Sequence, residues 1–413
     1  MCEQDLKNSY YNSSHAIFDF MNHFRKKAFG MPTQSIPTKK PISINNDPWE
    51  AYNDVEQYGD LTLSNIEFTT TNLCNMRCSH CAVGYTLQTK DPESLPMDLI
   101  YRRLDEIPTL KTISITGGEP MFSKKSIKHV VKPLLKYAYH RGIYVQMNSN
   151  LTLPQDRYLD IAEYIDVMHI SHNWGTIDEF TSVGFGAMEK QPPLKAKLKL
   201  YEQMIDNAST LSDQGMFVSA ETMLNQSTLP HLEKIHNEVV HDMKCRRHEI
   251  HPMYPADFAS SLNVLPLKEM KRAIHYLLDI RDPETWMLFG TLPIYPCIND
   301  PQDQALLNRL RETENVTMRN DPDGRNRLNV NMFTGNVIVT DFGDENGTIS
   351  NIKTDRLTDV FEQWLASPLA QALNCHCSEF NCLGPNVLVK NMYYPNTDFR
   401  AKEREMHLMY NMD

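Results

Sequence analysis

Three cysteines lie close together in the segment Cys74-Asn-Met-Arg-Cys78-Ser-His-Cys81, at spacings of four and three residues. Thiolates are the usual protein ligands of zinc and of iron–sulfur clusters, so this spacing predicts a metal site. A closed structural zinc site takes four protein ligands. Three cysteines therefore predict either a cubane iron–sulfur cluster with one iron left open for chemistry, or a closed site whose fourth ligand comes from elsewhere in the chain.

The cysteine segment follows the first of six predicted strand–helix units. Helical crossovers between successive strands imply a parallel sheet. Six units are too few to close an eight-stranded barrel. We therefore predict an α/β fold, a partial (β/α)6 three-quarter TIM barrel. Its predicted strands are Leu61–Thr71, Thr112–Thr116, Ile143–Asn148, Asp166–Ser171, Met216–Thr222 and Glu249–Met253.

Polar and metal-ligating residues fall at the C-terminal ends of these strands. In α/β barrels that end of the sheet is where the chemistry takes place. We therefore predict one shared site, and we expect the Gly-rich stretch Thr181–Gly186 to form a loop that closes over it. The strand-end residues are Cys74, Gly117, Asn148, Ser171, Glu221 and His251.

The character of the chain changes at about Arg281, where Pro, Asn, Asp and Gly become frequent. The segments Leu328–Asn331 and Asn336–Thr340 alternate like strands around a Gly-containing turn, which predicts a hairpin. Leu357–Leu365 is a predicted helix. We therefore divide the chain into a polar N-terminal arm with a short helix (residues 1–46), the partial barrel (47–285) and a smaller irregular α+β domain (286–413).

Composition and charge limit the classes of function. The formal net charge of −11 argues against a general nucleic-acid surface, because such a surface is basic. No run of eighteen apolar residues is present, so no membrane span is expected, and the N-terminus lacks an apolar signal region. Few, clustered cysteines fit a reducing cytosol better than a disulfide framework. We therefore predict a cytoplasmic protein.

The first cysteine segment, followed one unit later by Gly117-Gly118-Glu119-Pro120, resembles the radical S-adenosylmethionine (SAM) superfamily. A second thiol segment, Cys375-His-Cys377-Ser-Glu-Phe-Asn-Cys382, together with Ile170–Trp174 and Asp321–Gly324, is similar to the YfkAB family of radical SAM/CxCxxxxC-motif proteins. The resemblance spans roughly residues 47 to 400, and thus both predicted domains.

The resemblance implies an enzyme that starts its reaction with a radical. Cys74, Cys78 and Cys81 would bind a [4Fe–4S] cluster whose open iron is chelated by SAM. An electron from a small carrier such as flavodoxin or ferredoxin would cleave SAM to methionine and a 5′-deoxyadenosyl radical, which abstracts a substrate hydrogen. The cofactor then carries the difficult chemistry. The substrate is not predicted, and a peptide is suggested by analogy alone.

The resemblance also implies which residues contact SAM. Gly117 and Gly118 would let the ligand approach the backbone. Glu119 would accept from the SAM ammonium group, and Pro120 would stiffen the turn. Without the cysteines, a Gly-Gly pair at a strand end is most often only a turn. The remaining SAM candidates are His80 for adenine, Ser171 for ribose, and Asn148, Asn150 and Glu221.

Polar and aromatic side chains near the predicted strand ends suggest a polar substrate. Ser171 and Asn150 have a simpler alternative, in which they only cap the segments that follow them. The candidate substrate contacts are His169, His172, Trp174, His251, Tyr254 and Asp257.

We predict a second [4Fe–4S] cluster in the C-terminal domain, which resembles the SPASM or twitch extensions of radical SAM enzymes. Its ligands would be Cys375, Cys377 and Cys382, with Cys297 as the candidate fourth. A zinc site that also uses His376 is the alternative, because thiolates suit both metals.

Two other classes of function stay open. A non-catalytic iron–sulfur electron carrier explains the cysteines but not the Gly117–Pro120 segment. A zinc-stabilised RNA-modifying or RNA-binding protein is disfavoured by the acidic net charge.

Overall fold

The computed structural model describes residues 37–255, 259, 264–320, 322–339 and 347–410. The predicted short helix of the N-terminal arm and the substrate candidate Asp257 lie outside these residues, so both stay predictions. Lys39–Asp413 forms one compact unit.

The described residues form eleven strands, which join one sheet. In chain order they are β1 (Asn65–Thr69), β2 (Thr112–Thr116), β3 (Tyr144–Ser149), β4 (Val167–Ser171), β5 (Phe217–Leu224), β6 (Arg247–Pro252), β7 (Trp286–Gly290), β8 (Val316–Arg319), β9 (Arg327–Asn331), β10 (Asn336–Ile338) and β11 (Thr348–Asn351). Their order across the sheet is β11-β10-β9-β1-β2-β3-β4-β5-β6-β7-β8. Neighbouring strands from β1 to β8 are all parallel.

The predicted fold class is confirmed, because the protein is α/β with a long parallel sheet that is not closed. The six predicted strands are β1 to β6. The predicted strands do not include β7 and β8, which extend the same sheet past the predicted domain boundary at residue 285. All of β7 is buried, and a strand covered on both faces lacks the alternation that identifies half-buried strands. The division into domains stays a prediction.

The predicted hairpin is present as β9 and β10, which pair antiparallel. β9 also pairs in parallel with β1, so that Phe68 lies opposite Val330 and Thr69 opposite Asn331. The C-terminal part of the chain therefore contributes a strand directly beside the one that leads to Cys74.

Helices connect most of the strands and cover the outer face of the sheet. Leu104 and Leu134 of two such helices pack with Ile66 and Ile113 of the sheet in the main hydrophobic core. The described helices are α1 (Tyr52–Tyr58), α2 (Met97–Asp105), α3 (Lys124–Ser126, a π-turn Ile127–Val131, and Lys132–Arg141), α4 (Gln155–Leu159), α5 (Ile177–Val183), α6 (Leu194–Asp213), α7 (Leu232–Asn237, followed by a π-turn Glu238–Asp242), α8 (Leu267–Ile280), α9 (Pro301–Glu312), α10 (Leu357–Ala366), α11 (Pro368–Leu373), α12 (Val387–Tyr393) and α13 (Phe399–Tyr410).

The two faces of the sheet differ in polarity. In β1, Ile66 and Phe68 belong to the main hydrophobic core under the helices. Successive strand residues point to opposite faces, so Asn65 and Glu67 line the inner face, which we call the lumen. Glu67 pairs there with Arg327 of β9 at 3.0 Å. The lumen is therefore polar, whereas the outer face of the sheet is apolar.

The segment before α1 covers the N-terminal end of the lumen. Trp49 is buried, and its Nε1 donates to Ser114 Oγ at 3.1 Å. It packs with Phe217 and Trp286, the first residues of β5 and β7. The predicted site lies at the other end of the lumen, where the strands end.

The prediction of a loop at Thr181–Gly186 is wrong for its first half, because α5 continues through Val183. Thr176 caps the start of α5 by accepting a hydrogen bond from Glu179 N at 3.1 Å. A threonine N-cap followed by acidic residues in the first turn is a helix-start signal.

Candidate functional site

The three clustered cysteines lie on the loop that follows β1. We call Cys74, Cys78 and Cys81 the first thiol site, and all three are half-buried. Burial raises the pKa of the Cys74 thiol to about 12, and the charge of Glu119 adds to the rise. Burial, followed by the charges of Cys74 and Cys81, raises the pKa of Cys78 well above its ordinary value. Cys81 N donates to Cys78 O at 3.1 Å, so the loop turns back on itself between these two cysteines. The effects of the thiols on one another's pKa agree with this close arrangement.

Hydrogen bonds hold this loop from two sides. The Arg77 guanidinium donates to the carbonyl oxygens of Cys74 at 3.0 Å and Met76 at 2.9 Å. Met76 N donates to the Cys74 sulfur at 3.4 Å. On the other side, Ser79 N donates to Val183 O at 2.9 Å. The end of α5, part of the predicted lid, therefore supports the first thiol site.

The Gly117–Pro120 segment at the end of β2 lies against the chain that leads to the first thiol site. Gly118 N donates to Thr71 O at 2.8 Å, and Glu119 N donates to Leu73 O at 2.7 Å. A Cβ atom on Gly118 would collide with Leu73 O. Close approach of two backbones is a reason for glycine, so a contact within the protein already accounts for Gly118.

Glu119 is fully buried and links the ends of β2 and β3. Its carboxylate accepts hydrogen bonds from Ser149 Oγ at 2.9 Å, Asn150 N at 2.8 Å and Met121 N at 3.2 Å. Burial raises the pKa of Glu119 to about 7, although the hydrogen bonds from Asn150 and Met121 oppose the rise. Because both carboxylate oxygens are bonded within the protein, the geometry favours a positioning role over the predicted contact with the SAM ammonium group.

Asn150 brings the end of β3 to the first thiol site. Its Nδ2 donates to Asn75 Oδ1 at 3.0 Å and to Cys74 Sγ at 3.8 Å. A donor beside sulfur favours the thiolate form, which is the form that binds metal. Asn148 lies in the lumen instead, where its Oδ1 accepts from Gln146 Nε2 at 2.9 Å.

Four other predicted residues meet at the ends of β4 and β5. The rings of His80 and Trp174 have centroids 5.6 Å apart. Burial lowers the pKa of His80 to about 4, while the nearby charge of Glu221 acts in the opposite direction. Ser171 lies opposite Glu221 in the β4–β5 register. Trp174, predicted as a substrate contact, is only 3% exposed and belongs to the main hydrophobic core. A flat aromatic ligand such as adenine would therefore contact His80 rather than Trp174.

A buried network of charges occupies the lumen around Glu249 of β6. Glu249 pairs with Arg319 at 2.9 Å, with Arg247, and with His169 at 3.4 Å. His169 also bonds Glu221 at 3.0 Å. Burial lowers the pKa of His169, but the charge of Glu249 and the hydrogen bonds outweigh it and raise the pKa to about 9. His169 is therefore cationic at neutral pH and stands between two carboxylates.

The predicted site residues do not include Arg247, Glu249 and Arg319. The signal for two of them is the alternation Arg247-His-Glu249-Ile-His251, which puts three polar side chains on one face of a strand. Because the other face of β6 carries Ile250 of a hydrophobic cluster, the polar face must be the lumen. His251 lies there as predicted for a strand-end residue, with Nδ1 2.9 Å from Thr291 Oγ1.

Two of the predicted substrate residues lie away from the lumen. His172 follows Ser171 and so points to the opposite face, where its Nε2 bonds Glu238 at 2.6 Å. Tyr254 donates to Thr291 O at 2.6 Å and packs with Cys297. His172 therefore has a structural partner under the helices, and Tyr254 lies beside the C-terminal cysteines.

The structure brings four C-terminal cysteines together, and we call Cys297, Cys375, Cys377 and Cys382 the second thiol site. Cys377 and Cys382 exchange main-chain hydrogen bonds of 2.8 and 3.0 Å across a tight turn. Burial raises the pKa of Cys382 to about 12, and the charges of Cys297 and Cys377 add to the rise. Burial, followed by the charges of Cys382 and Cys297, also raises the pKa of Cys375. Cys297 thus joins the three cysteines of the C-terminal motif.

His376 lies between these cysteines in sequence but bonds elsewhere. Its Nε2 is 3.2 Å from Tyr52 Oη, and the two rings stack with centroids 5.5 Å apart. Its main-chain nitrogen donates to Glu403 Oε1 at 2.9 Å. One imidazole nitrogen is therefore engaged with Tyr52, which does not favour a zinc site that uses His376.

Known proteins are similar to this chain in sequence. A family model described as "Radical SAM superfamily" matches residues 68–238, and one described as "YfkB-like domain" matches residues 253–404. The Bacillus subtilis (strain 168) protein YfkA is 61% identical over 364 residues, which make up 88% of this chain and 97% of YfkA. The chain belongs to the radical SAM superfamily. Within it, the chain shares a family with YfkA, so the predicted resemblance is confirmed.

Solved structures of proteins that bind S-adenosylmethionine have a similar fold. Streptococcus suis SuiB bound to S-adenosylmethionine has a TM-score of 0.56 at 16% identity, covering 84% of this chain and 78% of SuiB. SuiB bound to the precursor peptide SuiA has a TM-score of 0.57 at 14% identity, covering 95% and 88%. Native anSMEcpe with bound AdoMet and the Cp18Cys peptide has a TM-score of 0.53 at 12% identity, covering 85% and 100%. At these identities the likeness concerns the fold.

Membership of the radical SAM superfamily indicates an enzyme and implies SAM and a [4Fe–4S] cluster. The first thiol site fits such a cluster, because the raised pKa values of Cys74 and Cys78 make these thiols costly to ionise until a metal compensates their charge. In a cubane each thiolate binds a different iron, so three thiolates leave one iron without a protein ligand. No helix in the part of the chain that the structure describes is long and apolar enough to cross a membrane.

Proposed function

We propose that this radical SAM protein binds a [4Fe–4S] cluster at Cys74, Cys78 and Cys81 and cleaves SAM reductively. When bound, the cluster and SAM supply the 5′-deoxyadenosyl radical that abstracts hydrogen from the substrate. The observation that carries the proposal is the pair of backbone hydrogen bonds between Gly118–Glu119 and the chain leading to Cys74. In a non-catalytic electron carrier, fixing this strand end to the thiol loop would only support the loop, whereas in the proposed enzyme it also brings the Gly117–Pro120 main chain to SAM.

The residues around the first thiol site have separate roles in this proposal. His80 contacts the adenine ring, with the buried Trp174 packed behind it, and Ser171 and Glu221 bind the ribose hydroxyls. Burial raises the pKa of Glu221, but the hydrogen bond to His169 and the charges of His251 and His169 together outweigh burial and lower the pKa overall. Glu221 is therefore a charged acceptor at neutral pH, and its side chain is 29% exposed, which leaves room for a ligand.

Other residues act through the loop rather than on the ligand. Glu119 and Asn150 fix the relative position of the two strand ends and of Cys74. The main chain of Gly117–Pro120 then faces SAM with its remaining polar groups. Asn148 lies deeper in the lumen and is better placed for substrate than for SAM.

The second thiol site is proposed to hold another [4Fe–4S] cluster, with Cys297 as the fourth ligand. The mutual electrostatic effects among Cys297, Cys375 and Cys382 support this set of ligands. The contact of His376 with Tyr52 counts against the zinc alternative. With all four irons bound by protein, the cluster would relay electrons or stabilise the C-terminal region rather than bind substrate.

The substrate is proposed to be polar and to enter the lumen near Glu221 and His251. The charged pair of His169 and Glu221 supports this class, because a desolvated polar lumen is stable only when its groups are hydrogen-bonded. A peptide is the favoured candidate, since the similar protein SuiB is known bound to its precursor peptide. Transfer of deuterium from a labelled peptide into 5′-deoxyadenosine would test the class directly.

A small acidic carrier such as flavodoxin or ferredoxin is the proposed electron donor. A groove of about 680 Å³ between α2 and α3 supports this, because its lining is basic and aromatic on a chain whose net charge is −11. α3 follows the Gly117–Pro120 segment, and Ser126 Oγ donates to Thr70 O at 2.6 Å on the way to Cys74. The groove is lined by Tyr101, Lys128, Lys132, Pro133, Lys136, Tyr137, His140 and Arg141.

Anaerobic incubation of the reconstituted protein with SAM and dithionite tests the central proposal. 5′-Deoxyadenosine should form with the wild-type protein and not with Cys78→Ala. Absence of 5′-deoxyadenosine from a wild-type sample that holds its full iron would contradict the proposal and favour a non-catalytic carrier. Zinc in place of iron after anaerobic purification would favour the zinc-stabilised alternative.

A further inference from the structure

The turn Pro322–Arg325 lies directly before β9, and the proposed cleavage of SAM gives it no role. Arg325 N donates to Pro322 O at 3.0 Å, and Gly324 N donates to Arg327 O at 3.0 Å. Trp364 Nε1 donates to Gly324 O at 2.9 Å. The turn is thus tied at both ends, and it places the Arg325 side chain in the interior, where the residue is only 1% exposed.

The Arg325 guanidinium is directed at the loop that follows Cys382. Its Nε donates to Leu383 O at 2.8 Å, and its terminal nitrogen donates to Pro385 O. The arginine therefore bridges the two carbonyls on either side of Gly384. A planar guanidinium fork suits this double contact, which a lysine cannot reproduce.

The bridged loop touches two thiols of the second thiol site. Gly384 N donates to Cys382 Sγ at 3.4 Å. A Cβ atom on Gly384 would lie 2.9 Å from Cys375 Sγ and would collide with Leu373 O. Gly384 also has a left-handed φ of 80°, so the loop depends on glycine there. Arg325 thus holds in place the backbone that packs against Cys375 and Cys382.

Arg325 also brings a permanent positive charge to these thiols. Burial raises the pKa values of Cys375 and Cys382, and the guanidinium charge of Arg325 acts in the opposite direction on both. A guanidinium stays protonated at all relevant pH values. In the interior, solvent screens such a charge weakly, so its effect on neighbouring thiolates is strong.

We propose that Arg325 is a positioning residue of the second thiol site, which fixes the Cys375–Cys382 loop and raises the reduction potential of the cluster bound there. The inference rests on the proposed [4Fe–4S] cluster at this site. Adding an electron makes a thiolate-bound cluster more negative, so a fixed cation beside it stabilises the reduced form. The same turn leads into β9, which pairs with β1, so it also joins the second thiol site to the strand that precedes the first.

Two substitutions separate the charge of Arg325 from its geometry. Arg325→Gln removes the charge, whereas Arg325→Lys keeps the charge but cannot bridge both carbonyls. Arg103→Gln is the matched control, because the buried Arg103 also donates to a main-chain carbonyl, that of Ile352 at 2.7 Å. The readouts are iron per chain and the midpoint potential of each cluster in an anaerobic redox titration followed by electron paramagnetic resonance.

Arg325→Gln should either shift only the second midpoint to a more negative potential or lower the iron content from about eight to about four per chain on the two-cubane assumption. Arg325→Lys should keep both clusters, with a smaller shift of the second midpoint. Arg103→Gln should leave both midpoints unchanged.

Two results would overturn the inference. The first is an unchanged second midpoint in an Arg325→Gln protein that retains full iron. The second is a shift of the second midpoint in Arg325→Lys as large as in Arg325→Gln. If the glutamine variant does not fold, loss of about four irons per chain from Arg325→Lys, which keeps the charge, overturns the inference by itself. A wild-type protein that holds only about four irons, as expected for one cubane, would instead overturn the proposed second cluster itself, and the role of Arg325 with it.

Discussion

The carboxylate of Glu119, at the end of β2, accepts a hydrogen bond from the main-chain nitrogen of Asn150, just after β3, at 2.8 Å. The side chain of Asn150 in turn donates to the sulfur of Cys74 at 3.8 Å. A continuous set of contacts therefore runs from the Gly117–Pro120 segment, through the neighbouring strand end, to the first thiol site. A substitution at either end of this set of contacts should therefore affect the structure at the other end.

Glu119→Gln tests this connection. Glutamine keeps the shape of the side chain but has only one acceptor oxygen, so at least one buried donor among Ser149, Asn150 and Met121 loses its partner. The lost partner should cost about 1–3 kcal/mol of stability. Thermal unfolding should show a lower Tm, and SAM should bind more weakly in calorimetry. Glu163→Gln, at an exposed position on the same protein, is the control and should change neither measurement.

Gly118→Ala tests the backbone contact at the SAM segment. The added Cβ collides with Leu73 O, so the chain leading to Cys74 must move, at a cost of about 1–3 kcal/mol. The variant should lose iron from the first thiol site and form little 5′-deoxyadenosine. Gly347→Ala is the matched control, because no atom lies within 4 Å of the Cβ position there. Full activity in Gly118→Ala would show that the contact is dispensable.

Cysteine substitutions should show that the two thiol sites bind their metal independently. Cys78→Ala should lower iron from about eight to about four per chain on the two-cubane assumption and abolish 5′-deoxyadenosine formation. Cys377→Ala should lose the same amount of iron but still cleave SAM with dithionite, since the first thiol site stays intact. Cys245→Ala is the control, because this buried thiol belongs to neither site. Iron unchanged in Cys377→Ala would refute the second cluster.

A buried histidine pair should make the protein sensitive to acid. His236 and His248 lie with their Nδ1 atoms 2.9 Å apart, and Asp282 N donates to His236 Nε2 at 2.9 Å. The imidazole of His236 must therefore donate through Nδ1, and both rings are neutral. Burial lowers the pKa of His236 to about 4 and that of His248 well below its ordinary value.

The sign of the effect follows from the protons that each state binds. Unfolded histidines take up protons near pH 6.5, while the folded pair does not, so the unfolded state binds more protons as pH falls from about 6.5 to 4. The free energy of unfolding should therefore fall across this window, by on the order of 2–3 kcal/mol for His236. Urea unfolding at pH 7 and pH 5 measures the loss. The loss should be smaller in His236→Gln, and an equal loss in that variant would rule out the pair as its source.

Charge reversal in the basic groove should slow electron transfer from a protein donor but leave the cleavage of SAM itself unchanged. Lys128→Glu together with Lys136→Glu should slow SAM cleavage driven by reduced flavodoxin roughly 10-fold or more at low salt, because steering by complementary charge sets the association rate. The rate with dithionite should not change. Lys195→Glu with Lys199→Glu places the same charges on α6, away from the groove, as a control. Equal slowing with dithionite would show that the groove does not serve a protein partner.

Local patterns in the sequence are enough to predict much of this fold. The strands from Leu61–Thr71 to Glu249–Met253 and the hairpin after Leu328 are predicted from alternation and turn residues, and the structure contains each of them. The parallel arrangement follows from the helical crossovers. Strands, hairpin and helices can be predicted locally, because the spacing of apolar residues within each segment reflects which of its faces is buried.

The sequence by itself determined the first thiol site, the Gly117–Pro120 segment and the family, since motif spacing is a property of the chain alone. Only the tertiary structure decided that β9 lies beside β1, that Cys297 joins the second thiol site, and that His172 points away from the lumen. The physical reason is that these contacts join residues far apart in sequence. They depend on which strands pair and on which face of a strand each side chain occupies, and a one-residue shift reverses that face.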